Sequence, residues 1–180
     1  MNSKNNQLLL AGLLVVVAMG TRVLFNALHI YNFSAVMAVA LFSGAYLGSK
    51  RLGFLIPLVA MLASDLIIGV YDWKLMAIVD GAFVVAIALG MFYAKKPSLL
   101  RWISVLLGSS TMFFIVTNFA VWIFGDGSFY PYTFSGLVDC YTMGLPFYRD
   151  RLIGDIAWSA ALFGSYELLK LRAPKPAMVP

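Results

Sequence analysis

The chain has 180 residues, of which 62% are apolar and 12% charged; a soluble domain carries nearer 45–50% apolar and about 25% charged residues. So few charges cannot cover the apolar surface of a soluble globule, and the mean hydropathy of +0.88 points to a chain dissolved in lipid. The net charge of +5 is dispersed in twos and threes between apolar runs, which excludes a nucleic-acid-binding face, and the lone Cys140 excludes an internal disulfide or a CxxC metal site.

A bilayer core of about 30 Å takes roughly 20 apolar residues per helix. On that length scale the sequence predicts an all-α, single-domain bundle over residues 1–172, with six spans at about 7–25, 33–48, 52–71, 75–94, 100–124 and 152–171. The first run is followed by Thr21-Arg22-Val23, which lacks the small-x-small pattern of a cleaved leader, so it reads as a retained helix. The second is short and suits a locally thin part of the fold. Pro57 predicts a kink in the third. Residues 173–180 read as a disordered cytoplasmic tail.

Lipid gives apolar burial no drive between helices, so small residues mark the packing seams. Ala40, Gly44 and Gly48 form one such stripe, Ala82, Ala86, Gly90 and Ala94 a second, and Ala157, Ala161 and Ser165 a third. They read as close packing within the bundle or, alternatively, as docking sites for partner helices.

Charge predicts orientation. With both termini cytoplasmic, nine basic residues fall inside (Lys4, Lys50, Arg51, Lys95, Lys96, Arg101, Lys170, Arg172, Lys175), and four fall outside (Arg22, Lys74, Arg149, Arg151). This positive-inside bias predicts a multi-pass protein of the bacterial inner membrane.

Polar residues recur at one depth. Arg22, Asp65, Asp80, Asn118 and Asp155 each sit a few residues from the outer end of a predicted span, roughly 5–9 Å below the outer surface at 1.5 Å per residue. Charged groups in a span are costly and normally face a bundle interior or a wet cavity. Above this layer lie the 1–2 connection, with His29 and Asn32, and a predicted 27-residue connection over 125–151, rich in aromatics and carrying Tyr130. Loops of that length are usually functional, and here the reading is a packed aromatic lid. Trp122 shares a helical face with Asn118. A binding site is therefore predicted from Arg22, His29, Asn32, Asp65, Asp80, Asn118, Trp122, Tyr130 and Asp155. Acids outnumber Arg22 in it, which favours a neutral or cationic ligand.

Structural roles compete at each position. Arg22, Asp65 and Asp80 suit a buried ion network. Asn32 or Ser34 suits the N-cap of helix 2, and Asp150 that of helix 6. Tyr130, Tyr132, Tyr148 and Trp73 suit an interfacial belt. No HExxH, GxSxG or phosphate-binding glycine loop occurs, and Gly108-Ser109-Ser110 has no histidine nearby. His29 and Cys140 alone do not make a metal site. The expectation is a non-enzymatic chain with no cofactor.

The run Asn32-Phe33-Ser34-Ala35, with Ala38, Ala40-Leu41-Phe42 and Gly44-Ala45, resembles the NFSP-x-x-A-x-ALF-x-GA signature of a family of small bacterial membrane proteins described as transport proteins. Ala35 stands where that family usually has proline. Ser64-Asp65-Leu66, Thr117-Asn118 with Trp122, Tyr130-Pro131-Tyr132-Thr133, Cys140-Tyr141, Pro146-Phe147 and Gly154-Asp155 carry the same resemblance over most of residues 22–165. The family in turn looks similar to the substrate-binding S components of energy-coupling-factor (ECF) vitamin transporters. That similarity implies a six-helix bundle with an outward pocket, and a partner module of one coupling protein and two ATPases. S components typically dock through Ala-x-x-x-Ala on the first helix, whereas here Ala11 and Ala18 are seven apart. The expected function is binding or uptake of a small organic molecule; a structural scaffold that binds partner helices is the alternative.

Overall fold

Long apolar runs bounded by short polar turns produce helices whose backbone groups are satisfied internally, as lipid requires. The computed structural model describes residues 3–47 and 50–172. These form α1 (Ser3–Ala27), α2 (Val36–Tyr46), α3 (Lys50–Ile68), α4 (Trp73–Ala94), α5 (Leu99–Phe124) and α6 (Phe134–Arg172). Gly48 of the first small-residue stripe, and the predicted tail over 173–180 with Lys175, lie outside the described residues, as do the side chains of Lys4, Lys50 and Arg172. Asp72 caps α4 by accepting from the Lys74 and Leu75 amides, and Ser98 caps α5 by accepting from the Arg101 amide.

α1, α3, α4 and α5 are long and apolar enough to cross a membrane. Only 17–39% of the apolar window of each is buried inside the chain, so their remaining apolar faces turn outward. The chain is thus an all-helical, membrane-embedded protein.

α2 differs from its predicted span. It has 11 residues, about 16 Å at 1.5 Å per residue, and is too short to cross. Val36–Ser43 are all buried, and among the described elements α2 touches each of the other five helices, so it forms the axis of the bundle. Neither Asn32 nor Ser34 caps it. The Ala35 amide instead donates to Thr21 Oγ1 of α1 at 3.1 Å. Asn32 has φ +67°, a left-handed conformation that asparagine tolerates and that stops the helix from starting earlier.

The α2 and α4 small-residue stripes are consumed inside the bundle, whereas Ala157, Ala161 and Ser165 of α6 lie exposed. A Cβ on Gly44 would strike the Ile87 carbonyl, and one on Gly90 would strike the Leu41 carbonyl, so α2 and α4 meet backbone to backbone. At the far end of the same seam, Tyr46 stacks on Tyr166 with centroids 4.0 Å apart and donates to Glu167 at 3.1 Å.

The largest departure lies at α6. The connection after α5 is only residues 125–133, and the stretch read as a lid is the first half of a continuous 39-residue helix. Tyr141 and Tyr148 are two turns apart on one face and lie against Phe114 of α5. Tyr141 donates to the Ile115 carbonyl at 2.8 Å, and Thr111 and Tyr148 share a 2.7 Å hydrogen bond. Asp150 is therefore no N-cap: it lies inside α6, ion-paired with its neighbour Arg149 at 2.9 Å.

Candidate functional site

Two buried ion pairs organise the end of the bundle where α1 passes into α2. Arg22 Nη2 lies 2.5 Å from Asp65 Oδ1, while Nη1 donates to Ser64 Oγ at 2.5 Å and to the Met61 carbonyl at 3.3 Å. This pins α1 to α3. The second pair lies within α6, where Arg151 Nε is 3.5 Å from Asp155 Oδ2, one helical turn on. The same Asp155 oxygen accepts from Ser110 of α5 at 2.7 Å, and the Arg151 guanidinium lies over the Phe113 ring, 3.4 Å from its centre. Both carboxylates are 2% exposed, as charges in a span must be when paired.

The two arginines face one cavity of about 300 Å³, at the small end of the range for ligand pockets. Its walls are the end of α1 (Arg22, Phe25, Asn26), residues 30–34 of the 28–35 strap that joins α1 to α2, Val36 of α2, Met61 and Ile68 of α3, Tyr71, then Val79 and Phe83 of α4, Phe113 and Arg151. Gly154 lets α6 approach Phe33, to which a Cβ at that position would come within 3.1 Å. Tyr71 lies on the short turn between α3 and α4; burial pushes its phenol up to about 12, with Asp65 repelling the phenolate, so it remains an O–H donor.

Of the residues predicted from sequence, Arg22 and Asn32 line this cavity. Asp65 and Asp155 stand behind the wall, each against an arginine. Asp80 lies within electrostatic range of Asp65 and Arg22, with a buried Oδ1 that has no hydrogen-bond partner among the described residues. His29 sits on the strap, its Nδ1 2.9 Å from the Tyr31 hydroxyl.

Asn118, Trp122 and Tyr130 belong elsewhere. Asn118 donates to the Phe114 carbonyl of its own helix at 2.8 Å and faces Gly144 of α6, where a Cβ would strike its Oδ1. Trp122 Nε1 donates to the Pro131 carbonyl at 3.0 Å, and both Trp122 and Tyr130 line a separate hollow of about 150 Å³ under the 125–133 loop. Asp126 in that loop accepts from the Ser128 hydroxyl and amide, which holds its carboxyl below the usual carboxylate range.

The one-layer reading missed Arg151. The signal is present as Arg151-x-x-x-Asp155, one helical turn apart, but the sequence places Arg151 at the end of the predicted 125–151 connection rather than in a helix. Ser110, a weak nucleophile candidate from sequence, holds Asp155 instead. A larger space of about 540 Å³ opens at the opposite end of α2, with Lys95 as its one charged wall residue among those described. It lacks the converging polar groups of the first cavity.

A membrane-embedded helical bundle with a polar-walled cavity at one end is the class that this fold and site define. The chain belongs to DUF6580, a family of unknown function whose model matches residues 2–177. No curated protein and no solved structure matches the chain.

Proposed function

We propose that the chain binds a small organic molecule, of vitamin or cofactor-precursor size, and takes it up across the bacterial inner membrane without chemical conversion. The observation that carries this reading is the 300 Å³ cavity, where aromatic rings meet converging polar groups at one end of an apolar bundle. In this reading the chain passes the bilayer six times, the second passage made inside the bundle by α2 together with the strap before it and the last by the second half of α6; both termini are cytoplasmic, and the 28–35 strap closes the outer mouth.

The similarity in fold and size between ECF S components and the family that the motifs resemble extends the proposal to an energising module of a coupling protein and two ATPases. Ala11 and Ala18 of α1 are 7% and 0% exposed, so docking would use a surface other than an alanine stripe on α1. A scaffold built on the Ala40/Gly44 stripe finds no support, because that stripe is occupied by α4.

The test compares metabolite depletion from a defined medium by cells lacking the gene and complemented with wild type, Val79→Trp or Ser34→Trp. Both substitutions fill the cavity from its wall. Wild type should deplete one compound or a related set, and the filled variants should not. Identical depletion profiles, with all three proteins at equal membrane abundance, would overturn the proposal.

A further inference from the structure

The charge of the ligand can be read from which residues line the cavity wall. The two carboxylates nearest the site are not among them: Asp65 is paired with Arg22, and Asp155 with Arg151 and Ser110. Among the described residues no acid lines the cavity, and Asp80 lies off its wall. The polar residues that do line it, two arginines, two asparagines, Ser34 and two tyrosines, can all donate. The count of acids along the sequence points to a neutral or cationic ligand; the pairing of those acids behind the wall reverses that preference.

Arg151 supplies the strongest observation. Its side chain is 11% exposed, yet it makes no hydrogen bond to any described residue, and its Nε is buried without such a partner. An arginine carries five N–H donors in a planar fork suited to two carboxylate oxygens. Held over the Phe113 ring, this fork meets its own aspartate through the 3.5 Å Nε contact. Arg22 lies within electrostatic range of Arg151, so an anion between them relieves their repulsion. Since each arginine already has an aspartate, one added negative charge suits the site better than two or three.

Resting on the uptake reading above, we infer that this cavity binds an organic monoanion, a carboxylate on an apolar ring-sized body, with the carboxylate between Arg151 and Arg22 and the body against Phe25, Phe33 and Phe83.

The experiment measures binding of benzoate, benzamide and dimethyl phosphate to the purified full-length protein in detergent by calorimetry. Benzoate should bind at least about tenfold tighter than benzamide, the ratio expected from one charge-assisted hydrogen bond. Arg151→Gln should abolish that preference. Asp155→Asn, which removes the competing carboxylate, should instead tighten benzoate several-fold, a gain that misfolding cannot mimic. Equal binding of benzoate and benzamide, binding of neither, or a preference for dimethyl phosphate would overturn the inference. Cavity-dependent uptake of a neutral or cationic compound would overturn it too, while leaving the uptake proposal standing.

Discussion

Breaking the Arg22–Asp65 pair should destabilise the bundle far more than a surface ion pair would. Asp65 is 2% exposed and Arg22 21%, with 2.5 Å between Nη2 and Oδ1, so solvent screens the pair little. Arg22→Met strands a buried carboxylate beside Asp80 and also removes the bonds to Ser64 and Met61; the expected cost is about 3–5 kcal/mol. Asp65→Asn leaves Arg22 its Ser64 and Met61 acceptors and should cost about 2–3 kcal/mol. The double change Arg22→Met/Asp65→Leu removes both charges, so it should fall short of the sum of the singles by roughly 2 kcal/mol or more. The assay is reversible unfolding in mixed detergent micelles, followed by helical circular dichroism. Additivity within about 0.5 kcal/mol would refute the coupling. Asp65→Ala should likewise impair folding, because the residue ties α1 to α3.

Gly90→Ala should cost about 1–3 kcal/mol through overpacking against the Leu41 carbonyl, whereas Gly108→Ala, which meets nothing within 4 Å, should be neutral or stabilising in the same unfolding assay. Ser110→Ala removes the hydroxyl that donates to Asp155 and should cost about 1–3 kcal/mol, as measured by thermal unfolding. Asn118→Ala should leave any retained ligand in place on native mass spectra, since Asn118 bonds within its own helix and lines no part of the main cavity. Asp126 has a folded pKa below its unfolded one, so its contribution to the 125–133 loop is present above the ordinary carboxylate value of about 3.9 and is lost as pH falls through the lower folded value. An NMR titration should find that Ser128→Ala moves the Asp126 carboxyl back up.

The spans of α1, α3, α4 and α5 were legible because each is a long apolar run with little to interrupt it. α2 was legible as apolar but not as short: composition does not report that Asn32 takes a left-handed backbone or that Thr21 of another helix caps the chain at Ala35. Residues 134–151 misled because Gly136, Gly144 and Pro146 read as loop residues. Tertiary contact overrides them, with Tyr141 and Tyr148 locking the segment along α5. The same error hid Arg151 and merged two separate polar clusters into one layer. Depth along a helix was readable from sequence, but azimuth was not. Asp65 and Asn118 lie at similar predicted depth, yet one pairs with Arg22 at the cavity wall and the other turns back onto Phe114.

Native mass spectrometry of the gently extracted full-length protein tests whether the cavity at the α1–α2 strap is a binding site. The account predicts that wild type retains a small molecule, and that Val79→Trp and Ser34→Trp arrive empty at unchanged fold. A wild-type chain that carries no small molecule, or one that survives both filled-cavity variants, would contradict it.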